Sequence, residues 1–202
     1  MLGHNGAGKT TTLSMLTGLT SMTSGWAEVN GLDVETQMEQ IRTFLGVCPQ
    51  HDILFDSLTV REHLQLFASF KGMTDSKLIE AEVERFIDDV DLREKADVWS
   101  KNLSGGQKRR LSVAIAFIGG SQIIFLDEPT SGMDTSARRY VWDMLKQYRN
   151  DRIVILTTHF MDEADFLGDR IAIMGSGKLI CCGSPEFLKD RFGVGYNLTI
   201  VK

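Results

Sequence analysis

Gly3-His4-Asn5-Gly6-Ala7-Gly8-Lys9-Thr10 opens the chain, and its glycine, lysine and hydroxyl spacing fits a loop that cradles phosphates. Gly6 and Gly8 permit backbone dihedrals and a close approach that a side chain would block. Successive N–H groups can then turn inward on an anion, at the positive end of a helix expected from Lys9 to about Gly18. Lys9 is placed to reach the outer phosphates as a point charge, and the Thr10 hydroxyl to ligate Mg²⁺. A glycine-rich turn before an ordinary helix would read similarly. The octet therefore points to a nucleoside triphosphate without saying which one.

Working outward, short apolar runs at 44–48, 123–126, 153–156 and 171–174 suit strands buried on both faces, as in a parallel sheet covered by helices. Helical patterns lie between them, so the class is α/β, a P-loop NTPase with a mostly parallel sheet. A strand at 26–29, followed by Asn30-Gly31, reads as an antiparallel edge entering a tight turn. Between 51 and 120 the pattern changes. Thr59-Val60-Arg61-Glu62 is a capping box opening a helix that carries Leu64, Phe67 and Ala68 inward and ends near Gly72. A second helix near 76–90 aligns Leu78, Val83, Phe86, Ile87 and Val90. Two helices without an intervening strand read as a helical lobe at 51–120, inserted into an α/β lobe made of 1–50 and 121–202. Further helices are expected at 136–148, with Val141, Met144, Leu145 and Tyr148 on one face, and after Ser184-Pro185-Glu186.

The run Ile123-Ile124-Phe125-Leu126 ends in Asp127-Glu128. Open parallel sheets bind ligands at strand ends, and adjacent strand residues point to opposite faces. The two acids therefore take separate jobs: Asp127 as a Mg²⁺ ligand, Glu128 as the general base that polarises an attacking water. A solvated strand end would carry the same pair, but not behind a phosphate loop. Leu103-Ser104-Gly105-Gly106-Gln107 then supplies a second helix start, expected near Gln107, with Ser104 as cap and a bare glycine backbone. One terminal phosphate cannot use both helix ends in one chain unless they are adjacent. A two-fold dimer solves this, each loop's nucleotide being covered by Ser104 and Gly106 of another copy.

With these motifs the sequence resembles the nucleotide-binding domain of ABC transporters over nearly the whole chain. The resemblance implies ATP as nucleotide and Mg²⁺ as cofactor. It identifies Gln50, in Val47-Cys48-Pro49-Gln50, with a loop glutamine that touches Mg²⁺ and abuts the transmembrane partner. Ser131-Gly132-Met133-Asp134 is similar to the loop crossing the dimer interface, and His159 to a switch histidine on the γ-phosphate. The expected nucleotide-binding set is Gly3, Asn5, Gly6, Ala7, Gly8, Lys9, Thr10 and Thr11, with Gln50, Ser104, Gly105, Gly106 and Gln107. The metal set is Thr10, Gln50 and Asp127, and the catalytic pair is Glu128 and His159. Residues 46–56, 159–165, 187–189 and 193–196 look closer to subfamily A, the lipid exporters. That resemblance implies a second cassette and transmembrane domains as partners. It also implies ATP hydrolysis powering lipid transport, with this domain on the cytoplasmic side of a membrane.

Only Met1 and Leu2 precede the loop, which needs a strand in front of it. The expectation is a piece of a longer polypeptide lacking its N-terminal strands and the family's adenine-stacking aromatic, with an exposed sheet edge and weak or no ATP binding in isolation. A strand-like run at 197–201 ends the sequence.

The 202 residues, 43% apolar and 24% charged, suit a globular domain. The net charge of −5 argues against a nucleic-acid binder, and Lys108-Arg109-Arg110 reads as a solvated or interface face. Three cysteines, Cys48 and the adjacent Cys181 and Cys182, are neither a disulfide framework nor a metal set. No apolar run reaches the roughly 18 residues of a membrane span. A soluble ABC protein that remodels ribosomes or DNA, or an inactive cassette acting as a clamp, would share some of these motifs. Glu128 and His159 together argue against the inactive clamp.

Overall fold

The computed structural model describes residues 1–193, so the expected strand at 197–201 and most of the 193–196 motif lie outside the described residues. In chain order the elements are α1 (Lys9–Leu16), β1 (Glu28–Val29), β2 (Leu32–Asp33), α2 (Met38–Phe44), β3 (Leu45–Cys48), α3 (Val60–Phe70), α4 (Ser76–Asp89) and α5 (Gly105–Phe117). After these come β4 (Ile123–Asp127), α6 (Thr135–Tyr148), β5 (Ile153–Thr157), α7 (Met161–Leu167), β6 (Ile171–Gly175), β7 (Lys178–Gly183) and α8 (Pro185–Phe192).

Strands β3, β4 and β5 form a parallel sheet with β4 in the middle. All of β4 is buried, which is why it reads as an unbroken apolar run ending in acids. Leu2 continues the sheet sideways through parallel bridges to Thr158 and Ile173. The phosphate loop thus starts between β5 and β6. Farther from the loop, β5 and β6 flank a cavity of about 420 Å³ lined by Met1, Ile153, Val154, Ile171 and Ala172 among others. Ile153, at the start of β5, is 60% exposed.

Two expectations about the strands change. Strand β5 is only partly buried along most of its length. Strand β6 pairs with β7 antiparallel, through a bulge between Ile173 and Met174, and is only partly buried at Ala172, Ile173 and Gly175. The other antiparallel pair is β1 with β2, turned by Asn30 and Gly31, both at positive φ (54° and 77°), as a tight hairpin requires.

Helix α3 has its capping box as the sequence indicates: Thr59 accepts from Glu62 N, and Glu62 accepts from Thr59 N at 2.7 Å. Helix α4 buries Val83, Phe86 and Ile87, but Leu78 is 61% exposed: it lies in the helix's first turn, off the packed face. One apolar cluster runs from Leu64, Phe86 and Ile87 of these helices through Phe117 of α5 to Ile124 and Leu126 of β4. Each buried aromatic or aliphatic side chain there contributes about 1.5–3 kcal/mol. Gly46 is where α5 meets the sheet: a Cβ there would stand 1.8 Å from the Ala116 carbonyl oxygen, so no larger residue fits.

Among the described residues, no helix is long and apolar enough to cross a membrane.

Candidate functional site

The phosphate loop is braced from behind. Ala7 N donates to His4 O at 3.1 Å, and Gly177 N, in the β6–β7 turn, donates to Ala7 O at 3.0 Å. Gly6 and Gly8 have φ of 79° and 97°, which an L side chain would resist. Helix α1 begins at Gly8 with no side chain capping it, so its first N–H groups remain available to an anion. Asn5, Gly6, Thr10 and Thr11 are exposed along this mouth, while Ala7 and Lys9 are buried. Lys9 Nζ donates to Gly3 O at 2.8 Å and His4 O at 3.2 Å, and lies 3.5 Å from Glu128 Oε1.

Glu128 sits at the centre. Its other carboxylate oxygen is 3.3 Å from His159 Nδ1. The structure therefore brings Lys9, Glu128 and His159 together from segments far apart in the chain. Glu128 stands just past β4 in a left-handed backbone conformation, φ 49°, costing roughly 1–3 kcal/mol. Its N–H donates to both the carbonyl and the hydroxyl of Thr157, at 3.1 and 3.0 Å. The Thr157 hydroxyl in turn donates to Asp127 Oδ1. Thr157 thus holds both acids from the facing position on β5, a role the sequence does not announce.

Thr10, Gln50 and Asp127 line one cavity of about 320 Å³ between α1 and the segment after β3. A hydroxyl, an amide and a carboxylate are hard oxygen donors, the chemistry that suits Mg²⁺ beside phosphate oxygens. Cys48, at the end of β3, is fully buried, and burial pushes its thiol up to about 12.

The glycine-rich pentapeptide differs in detail from expectation. Helix α5 begins at Gly105, not near Gln107, because Ser104 and Gln107 form a reciprocal capping box that draws both glycines into the first turn. A Cβ at Gly105 or Gly106 would meet nothing within 4 Å, so this helix end presents bare backbone. Asp134 is the N-cap of α6, accepting from Ser136 N and Ala137 N, each at 3.0 Å. His159 leans on Phe160, ring centroids 4.0 Å apart, and Arg138 lies over Phe160 at 3.9 Å. Glu163 is fully buried, its Oε1 accepting from Thr130 at 2.7 Å and Trp142 at 2.9 Å.

Two members of the basic triplet, Arg109 and Arg110, turn inward rather than forming a solvated face. Arg109 is 4% exposed, and its guanidinium is bonded to backbone around Asp127 and Pro49. Arg110 bonds Val90 O, Asp91 O and the Asp91 carboxylate. A charge run on a helix turns inward when carbonyls and carboxylates wait there, and composition does not reveal them.

A family model described as ABC transporter matches residues 1–131. The chain belongs to that family. It is 57% identical over 202 residues to the phospholipid-transporting ATPase ABCA3 of Mus musculus, covering all of this chain and 12% of that protein. To ATP-binding cassette sub-family A member 2 of Rattus norvegicus it is 56% identical over 201 residues, covering 8% of that protein. The chain therefore spans a small part of the relatives it matches. Among solved structures, the ATP-binding cassette MJ0796, a dimer in a post-hydrolysis state bound to ADP and Pi, superposes with a TM-score of 0.83 at 25% identity, over 91% of this chain and 83% of that one. An ATP-binding subunit of an ABC transporter gives 0.82 at 27% identity, over 96% and 80%. The fold is that of ABC cassettes, with the phosphate loop, Gln50, the pentapeptide and both acids inside the matched family region.

Proposed function

We propose that this chain is the ATPase module of a larger ABC transporter, binding and hydrolysing Mg-ATP to drive movement of phospholipid or a related lipid. The observation carrying this reading is the Glu128 carboxylate held between Lys9 and His159 at the mouth of an uncapped helix. Gly3, Asn5, Gly6, Ala7, Gly8, Lys9, Thr10 and Thr11 cradle the phosphates through backbone N–H groups and the Lys9 ammonium. As a phosphate enters, Lys9 exchanges part of its contact with Glu128 for the phosphate oxygens. Freed of that cation, Glu128 accepts a proton from the attacking water, and His159 donates toward the terminal phosphate. Thr10, Gln50 and Asp127 would hold Mg²⁺ through hard oxygen donors, and the ion would supply positive charge beside the phosphate oxygens.

Gly105 and Gly106 present bare backbone between the capping side chains of Ser104 and Gln107, which suits this helix end to cover a nucleotide held by a second cassette. In this reading residues 51–120 are the helical lobe, and 1–50 with the described residues from 121 onward the α/β lobe. Transmembrane domains and a second cassette complete the machine, with this module on the cytoplasmic side and no nucleic acid among its partners.

The test is Glu128→Gln in the complete membrane-reconstituted transporter. Turnover should fall by roughly 10²–10⁴-fold while ATP binding persists. Equal turnover would remove Glu128 as the base.

A further inference from the structure

Arg109 is a buried cation that the proposed chemistry does not use. It lies on α5, one turn beyond the Ser104 cap, and is 4% exposed. A guanidinium has five N–H donors in a rigid planar fork, and the geometry here employs every nitrogen. Nε donates to Pro129 O at 3.1 Å; Nη1 to Pro49 O at 2.6 Å and Asp52 Oδ1 at 3.1 Å; Nη2 to Asp127 O at 2.5 Å and Glu128 O at 3.1 Å. Three stretches of chain converge on one side chain. One is the segment carrying Gln50, gripped on both sides through Pro49 and Asp52. The second is the turn from Asp127 to Pro129. The third is the helix that opens with the bare glycines Gly105 and Gly106.

The grip on the second stretch answers a physical need. Glu128 is held at φ 49°, a conformation its side chain disfavours. Such a conformation persists only where the surroundings over-determine it. Thr157 fixes the N–H of Glu128 from one side. Arg109 fixes the carbonyls of Asp127, Glu128 and Pro129 from the other. A lysine could not replace it, because an ammonium is a point donor on a flexible stem and cannot span acceptors on separate segments.

We infer that Arg109 is a positioning residue for hydrolysis: it sets the backbone that aims Glu128 and ties Gln50 and the base to the helix whose glycine end covers a partner's nucleotide. A shift of α5 as that end engages a phosphate would be transmitted through the guanidinium to both. The inference rests on the ATPase reading and extends it.

The experiment compares four forms of the complete transporter reconstituted in lipid: unaltered, Arg109→Lys, Glu128→Gln, and the double variant. Each is measured for Mg-ATP turnover, KM and thermal midpoint. Arg109→Lys should lower kcat by roughly 10–100-fold, the range a misplacement of about 1 Å costs, with KM for ATP changed less than about 3-fold. In the double variant, Arg109→Lys should cost nothing further, since there is no base left to aim. Additive losses in the double variant, or losses in kcat that only track the fraction of folded protein, would overturn the inference and leave a structural role. Turnover in Arg109→Lys equal to the unaltered transporter would overturn it as well. If unaltered and Glu128→Gln forms turn over alike, Glu128 is not the base and its positioning by Arg109 falls with it; if the unaltered transporter does not turn over Mg-ATP at all, the ATPase reading itself fails. For a form of Arg109→Lys that does not fold, Asp52→Asn, which weakens one bond at the half-buried end of the same clamp, carries the same comparison with a smaller expected kcat loss.

Discussion

Glu163 offers a stability test in which two substitutions of one residue should part company. Its carboxyl is fully buried, and Oε1 accepts from the Thr130 hydroxyl at 2.7 Å and the Trp142 indole at 2.9 Å. Oε2 is buried with no partner. Glu163→Ala strips the acceptor from two buried donors, each costing about 1–3 kcal/mol when left unpaired, and leaves a small cavity. The total is roughly 3–6 kcal/mol. Glu163→Gln keeps an oxygen at the Oε1 position and puts an amide nitrogen where Oε2 already lacks a partner, so its effect should stay within about 1 kcal/mol.

Urea unfolding followed by tryptophan fluorescence separates the two. With a slope of about 1–3 kcal/mol per molar urea, the alanine form should lose about 1–6 M of its midpoint and the glutamine form no more than about 0.3–1 M, so that at any one slope the alanine loss is at least about three times the glutamine loss. A glutamine variant as unstable as the alanine one would refute the reasoning, by showing that Oε2 engages a partner that an amide nitrogen repels. The position matters for function too. Glu163 joins the helix that follows His159 to Thr130, two residues past Glu128, so its loss should loosen the alignment of that pair.

One further outcome is expected. Cys48, fully buried and pushed up to about 12, should resist iodoacetamide at pH 8 in the native fold while the exposed Cys182 reacts. Equal labelling by mass spectrometry would mean the segment before Gln50 opens readily.

Much of the site is legible from residue types, because its parts are local. A phosphate loop, a capped glycine helix and an apolar strand ending in acids each carry their chemistry within a few consecutive residues. What escapes the sequence is what joins those parts. Thr157 reads as an ordinary strand residue until the parallel register with β4 sets it opposite Asp127. Arg109 reads as one member of a charged triplet until folding surrounds it with carbonyls from 49, 127, 128 and 129. The partial exposure of β5 and the antiparallel turn of β6 escape for a similar reason: short apolar runs look alike whether one face or two are covered.

The two acids show where strand alternation is an incomplete account of side-chain direction. Strand alternation by itself would send Asp127 and Glu128 to opposite faces of the sheet, and the base would point away from the phosphate loop if its neighbour pointed toward it. The structure resolves this by ending β4 at Asp127 and placing Glu128 in a left-handed turn. That turn swings the second carboxylate back beside Lys9 and His159 while the first stays hydrogen-bonded to Thr157. Division of labour between adjacent carboxylates is therefore produced by a strained backbone rather than by the pleat. The strain is sustainable because donors from β5 and α5 clamp that turn from both sides.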